Sequence, residues 1–281
     1  MITVKNMTFG YRREKLFNGL DLSLEPGNIY GLLGKNGAGK TTLLKLIAGL
    51  RFPQSGELSV LGFVPAQRSA HLLEDICFVS EELFVPPILP DFFERLYAPL
   101  YPRFDHERFR GYLREFELDT AKRLSEHSYG QKKKFLLAFG LAARTRLLLL
   151  DEPTNGLDIP SKSQFRRLLA GAVAEDQVIL ISTHQVRDME NLIDPIIILD
   201  AGKIVFQQPL QEASRRLAVS MEREAPVDAL YSEKTLGGYV VVRENRAGEE
   251  TNLDLETLFN AVVSDAGRVQ ALFGTGQAKE V

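Results

Sequence analysis

One stretch, Gly34-Lys35-Asn36-Gly37-Ala38-Gly39-Lys40-Thr41, concentrates residues able to do chemistry. Its glycines let the backbone curl so that successive N–H groups point inward at anionic oxygens. An apolar run, Ile29 to Leu33, precedes it, and a helical run from Lys40 to Leu50 follows. Strand, glycine loop and helix is the context of a phosphate cradle, because the helix adds the positive end of its dipole there. Lys40 can reach outer phosphates as a point charge. The Thr41 hydroxyl suits a magnesium ion.

A second stretch carries acids. Leu147–Leu150 reads as a strand buried on both faces, and Asp151 and Glu152 follow it at once. That is the strand end at which ligands sit in open α/β sheets. Neighbouring strand side chains point to opposite faces, so the two acids take separate tasks. Asp151 is expected in a magnesium shell, and Glu152 faces an attacking water as general base.

The remaining pattern supplies elements to position these groups. Ile2, Val4, Met7 and Phe9 predict a strand whose phase slips near Asn6. A polar turn over Arg12–Lys15 leads to Leu20, Leu22 and Leu24, which have period two. Thr42, Leu43, Leu44, Leu46, Ile47 and Leu50 give the helix after the loop an apolar face. Leu58 and Val60 make a short strand, Ala66–Asp75 a helix and Ile76–Val79 a strand. Past Glu82 and three prolines, Asp91–Tyr101, Asp105–Phe116 and Gly130–Arg144 read as a helical insertion. After the acids come a helix (Ser161–Ala174), a strand (Val178–Ser182), a helix (Val186–Leu192) and a strand (Ile196–Leu199). The hairpin Asp200–Lys203 turns into Ile204–Phe206. Strand–helix alternation implies a doubly wound α/β core. The tail predicts a charged helix (Gln211–Arg223), a strand (Gly238–Arg243) and a helix (Leu255–Val263), as a small accessory domain.

Bulk properties narrow the class. The chain has 281 residues, 44% hydrophobic, with net charge −3, so no basic field points to nucleic acid. Cys77 is the single cysteine, which excludes an internal disulfide and fits a reducing compartment. The first residues enter a strand pattern with no signal-peptide core. No apolar run is long enough to span a bilayer, so a membrane role is expected to come through a partner.

Together these residues resemble the ATPase subunit of an ABC transporter, from about Met1 to Pro209. The phosphate loop matches Gly34–Thr41 and the acid pair Asp151-Glu152. Asn155-Gly156-Leu157-Asp158 resembles the D-loop, and His184 the switch histidine that contacts the terminal phosphate. Ser128-Tyr129-Gly130-Gln131 stands where the family has its signature motif, and Tyr11 where an aromatic stacks on adenine. The family's usual signature is Leu-Ser-Gly-Gly-Gln, so His127 and Tyr129 depart from it. A serine–tyrosine–glycine form occurs in some bacterial exporters with separately encoded permeases. Glu81 is the best match for a family glutamine that touches the metal, with Glu82 beside it leaving the alignment open by one.

The resemblance implies an α/β fold. Its parts are a P-loop NTPase core with a mainly parallel sheet, an N-terminal antiparallel β subdomain, an inserted α-helical subdomain and a small C-terminal α+β domain. The division is 1–210, with the insertion at about 82–144, and 211–281. ATP and Mg²⁺ are the implied ligands. Asn36, Gly37, Ala38, Gly39, Lys40, Thr41, Thr42, Tyr11 and Asp158 are the expected nucleotide contacts. Thr41, Glu81 and Asp151 are the metal contacts, and Glu152 and His184 the catalytic pair. Ser128, capping its helix, faces outward with Gly130 and Gln131 toward the ATP of a second copy. The implied partners are a second copy or a paired ATPase subunit, and integral membrane permease subunits that hold the chain peripherally at the cytoplasmic face of the cell membrane, for export. Phe84, Phe92, Phe93 and Tyr97 form either a groove for a partner helix or the insertion's own core. A soluble ABC-type ATPase acting on ribosomes or DNA is the alternative, and a non-hydrolysing regulatory subunit is a third reading that Glu152 and His184 disfavour.

Overall fold

The computed structural model describes residues 1–274 except 13, 191, 225 and 227. Arg13 of the expected turn, Asn191 of an expected helix and part of the tail therefore lie outside the described residues. The chain opens with β1 (Ile2–Tyr11), β2 (Glu14–Leu24) and β3 (Asn28–Leu33), then α1 (Lys40–Ile47) and β4 (Ser55–Val60). A short α2 (Ala70–Leu73) and β5 (Ile76–Val79) follow. The insertion holds α3 (Pro90–Tyr97), α4 (His106–Glu115) and α5 (Tyr129–Ala142). Next come β6 (Leu147–Asp151), α6 (Ile159–Ala170), β7 (Val178–Thr183), β8 (Ile196–Asp200) and β9 (Lys203–Gln208). The last part is α7 (Leu210–Arg216), β10 (Leu217–Glu222), β11 (Tyr231–Thr235), β12 (Gly238–Glu244), α8 (Leu255–Ser264) and α9 (Ala266–Phe273).

A six-stranded sheet of order β5-β6-β7-β3-β8-β9 forms the centre. Its first five strands are parallel, and β9 closes one edge antiparallel to β8. Period-two alternation along β6 sends Leu147 and Leu149 into one apolar core and Leu148 and Leu150 into the other. The first core joins α1 to the antiparallel sheet β2-β1-β4. The second takes in α5, α6, the insertion and the buried faces of β12 and α8. This double burial holds the C-terminal ends of β3, β6 and β7 in one place, where the loop and the acids emerge.

Local chemistry explains the departures from the sequence expectations. The slip in β1 is a register shift between Val4 and Met7, with Asn6 at φ 47°. The helix expected over Ala66–Asp75 is divided, because Arg68 turns to φ 49° and gives its guanidinium to the Gly49 carbonyl at 2.8 Å. Only a 3₁₀ turn, Val186–Met189, stands where a helix was expected up to Leu192. There Glu190 is extended, and Lys162 and Arg166 of α6 take the Asp188 carboxylate and carbonyl. The charged helix expected to Arg223 stops at Arg216. Beyond it Leu217–Glu222 alternates and pairs with β12, so sheet pairing overrides local helix preference. Among the described residues no helix is long and apolar enough to cross a membrane.

Candidate functional site

The glycine loop joins β3 to α1. Gly39 stands at the start of α1 with φ 105°, a left-handed conformation. A Cβ there would also lie 2.8 Å from the Phe17 ring, so glycine alone fits. No side chain caps α1, which leaves its first N–H groups to the pocket. That pocket, of about 420 Å³, is lined by Tyr11, Asn36, Gly37, Gly39, Lys40, Thr41, Thr42, Glu81 and Glu152 among others. Tyr11 is 46% exposed at its mouth, with its hydroxyl 3.2 Å from that of Thr42. Ala38 belongs to the loop, its N–H donating to the Lys35 carbonyl at 3.1 Å.

Lys40 is buried and bends back onto its own loop, donating to the Gly34 carbonyl at 2.8 Å. Its Nζ lies 3.7 Å from Glu152 Oε1. Burial pushes its pKa below the usual lysine range, against the pull of Glu152 and Asp151. Asp151 ends β6, fully buried. Its Oδ1 accepts from Thr41 Oγ1 at 3.1 Å and from Ser182 Oγ at 2.5 Å. Its Oδ2 has no hydrogen-bond partner among the described residues. A buried carboxylate oxygen left open beside a threonine hydroxyl is a donor set that fits a hard cation such as Mg²⁺.

Strand alternation does not separate the acids as expected, because β6 ends at Asp151. Glu152 turns to φ 45°, an uncommon conformation for a residue with a side chain. The turn still gives the two carboxylates different surroundings. Glu152 Oε1 accepts from His184 Nδ1 at 2.8 Å, and its Oε2 accepts from the His184 N–H at 3.3 Å. The His184 side chain is 35% exposed. A nearly buried carboxylate fixed by an imidazole, facing a phosphate cradle, can take a proton from water.

The other expected contacts lie elsewhere. Ser128 is exposed at the N-cap of α5, in a reciprocal cap with Gln131: Ser128 N–H donates to Gln131 Oε1 at 2.9 Å, and Gln131 N–H to Ser128 Oγ at 3.3 Å. Asp158 caps α6, accepting from the Ser161 N–H at 2.9 Å, and the Ser161 hydroxyl together with that N–H lowers its pKa. Neither they nor Gly130 line the pocket. Gly130 instead abuts the next loop, since a Cβ on it would lie 2.9 Å from the Gly156 carbonyl.

Ser182 and Lys133 carry no assignment from sequence, and Tyr129 and Asn155 make contacts that their motifs do not specify. Ser182, fully buried, links the acids by donating to Asp151 and accepting the Glu152 N–H at 3.3 Å. Tyr129 donates its hydroxyl to the Glu81 carbonyl at 3.1 Å, and Asn155 Nδ2 donates to Glu81 Oε1 at 2.9 Å. Lys133 is fully buried and donates to the Asp151 carbonyl at 3.3 Å. Burial lowers its pKa to about 8, against the pull of Glu81, Asp151 and Glu152. The available signal was helical spacing: Tyr129, Lys133 and Leu137 share one face of α5.

Comparison with known proteins gives the following similarities. The family model described as ABC transporter matches residues 17–155. The nickel import ATP-binding protein NikO of Rhodobacter capsulatus is 31% identical over 233 residues, covering 77% of this chain and 92% of its own. The bacitracin transport ATP-binding protein BcrA of Bacillus licheniformis is 30% identical over 231 residues, covering 77% and 72%. A solved ATP-binding subunit of an ABC transporter superposes with a TM-score of 0.70 at 25% identity, over 76% of this chain and 92% of that one.

Proposed function

We propose that this chain, which belongs to the ABC transporter ATP-binding family, is one half of a paired ATPase that drives a separate permease. As a family member it is an ATPase that works on ATP with Mg²⁺. One observation carries the paired reading. The cradle gathers Tyr11, the loop, Glu81 and Glu152, while Ser128 and Gly130 lie outside it at the exposed start of α5. A second copy, head to tail, brings those groups to the open side of the nucleotide.

Within one site, Lys40 and the loop N–H groups hold the phosphates. Thr41, Asp151 and Glu81 are the residues that hold magnesium, which supplies charge neutralisation at the phosphates. Glu152 takes a proton from water as the water oxygen bonds to the γ-phosphorus and the bond to the bridging oxygen breaks. His184 orients Glu152, and Tyr11 stacks on the base. Asp158 acts at the interface.

The permease reading is supported by the names of the relatives, one in nickel import and one in bacitracin transport. It places the chain at the cytoplasmic membrane face, held there by its partner. Export is favoured by the Ser128-Tyr129-Gly130 signature and by Glu81. We assign 1–210 to the cassette, with the insertion at about 82–144, and 211–281 to an accessory unit. That unit touches the switch segment, with Arg187 bound to Glu256 at 2.6 Å and Phe259 sharing a cavity with His184. Affinity purification from detergent-solubilised membranes tests the reading. A stoichiometric multi-spanning membrane protein is expected. Recovery with ribosomes alone would transfer the assignment to the soluble class.

A further inference from the structure

The family's usual signature has glycine where this chain has Tyr129, so the tyrosine brings a ring and a hydroxyl that the motif lacks. Both are used inside the chain. The hydroxyl donates to the Glu81 carbonyl at 3.1 Å. The ring lies on the loop that follows Glu152: Gly156 stands at φ 78°, and a Cβ on it would lie 2.5 Å from Tyr129 Cε1. Asn155 closes the set, its Nδ2 donating to Glu81 Oε1 at 2.9 Å. The Glu81 loop, the start of α5 and the 155–158 loop therefore hold one another through two hydrogen bonds and one ring contact, although they are far apart in sequence. Each leads to a different task. Glu81 lines the nucleotide pocket, Ser128 is the exposed cap of α5, and Asp158 caps α6. Tyr129 itself is absent from the pocket lining and is 48% exposed. A glycine at 129 could make neither contact.

We propose that Tyr129 is a positioning residue: it locks the exposed start of α5 to the Glu81 loop and to the 155–158 loop, so that the surface offered to a second copy moves as one piece with the chain's own nucleotide pocket. The contacts are those of one chain and need no metal ion. The consequence for turnover rests on the paired reading, in which Ser128 and Gly130 reach the ATP of a second copy. The competing role for an exposed tyrosine at this place is direct contact with that ATP, and the two roles differ in what the hydroxyl does in a single chain.

Tyr129→Phe removes the hydroxyl and keeps the ring, whereas Tyr129→Gly removes both and restores the family's residue. Hydrogen exchange of the nucleotide-free full chain reads the lock without reference to pairing. In Tyr129→Phe, exchange should rise about two- to tenfold over 80–83, the range set by one neutral hydrogen bond. In Tyr129→Gly it should rise over 155–158 as well, and in neither variant over the phosphate loop, 34–41. Exchange over 80–83 that matches the parent overturns the proposal, and a kcat loss in Tyr129→Phe beside it assigns the hydroxyl to the second copy's ATP. A rise spread evenly over the chain also overturns it, because that is loss of stability alone. Steady-state turnover reads the consequence. For Tyr129→Phe, kcat should fall about two- to tenfold, with the melting temperature and the nucleotide affinity of the single chain unchanged. For Tyr129→Gly it should fall further, although the signature is then the usual one, and turnover at or above the parent's overturns the lock. If the Glu152→Gln chain fails to pair with ATP, the paired reading falls and the exchange measurement decides the lock by itself.

Discussion

Replacing His184 with alanine removes one bond from the Glu152 carboxylate and leaves the rest of the site in place. The lost bond is Nδ1 to Oε1, 2.8 Å long. The backbone N–H at 3.3 Å from Oε2 survives the change, as does Lys40 at 3.7 Å from Oε1. A hydrogen bond to a charged group contributes about 1.5–3 kcal/mol. At ~1.4 kcal/mol per tenfold in rate, that is a loss of about 10- to 150-fold in kcat. With the imidazole 35% exposed, water can refill part of the gap, so the lower end, about tenfold, is expected. Phosphate release at saturating ATP gives kcat, and titration with a fluorescent nucleotide gives affinity, which should change far less. Turnover within twofold of the parent refutes the reasoning. So does a Glu152→Gln/His184→Ala variant much slower than Glu152→Gln alone, because a residue acting through Glu152 has nothing to act on once the base is gone.

Two further outcomes follow from buried groups. Ser182→Ala takes a 2.5 Å hydrogen bond from a buried carboxylate and a second one from the Glu152 N–H. It should cost about 1.5–3 kcal/mol, seen by calorimetry as a fall of roughly 3–10 °C in Tm, and an unchanged melt contradicts the link. Burial raises the Cys77 thiol to about 12. Its thiolate is therefore scarce at pH 8, and a thiol reagent should label the native chain only after denaturation. Stoichiometric labelling of the folded protein would place β5 at the surface.

Much of the site could be read from sequence because its parts are local. Gly34–Thr41 carries strand, loop, cation and hydroxyl in consecutive residues, and Leu147–Glu152 carries a strand with its acids. The structure brings these two stretches together at the C-terminal ends of β3 and β6, with Thr41 Oγ1 on Asp151 Oδ1. Contacts made across the fold left weaker traces. Lys133 sits in Lys132-Lys133-Lys134, a run that reads as solvated until helical phase places its middle residue on the face of Leu137. Ser182 looked like the last residue of a strand, and only the pairing of β6 with β7 sets its hydroxyl on Asp151. The conformation of Glu152 was hidden for a related reason, since strand alternation assumes that the strand continues and β6 stops one residue earlier. The tail is the least local part, because Leu217–Glu222 has a composition that suits a helix, and its partner, Gly238–Glu244, is separated from it in sequence by fifteen residues that include another strand.

The central claim is that this chain provides half of a site. Light scattering coupled to size-exclusion chromatography of the Glu152→Gln protein tests it most directly. With ATP and Mg²⁺ the mass should double, and with ADP it should return to that of one chain. Exchanging Ser128 for arginine, at the exposed cap of α5, should abolish the doubling while nucleotide still binds. A mass of one chain with ATP across a wide range of protein concentration would contradict the account.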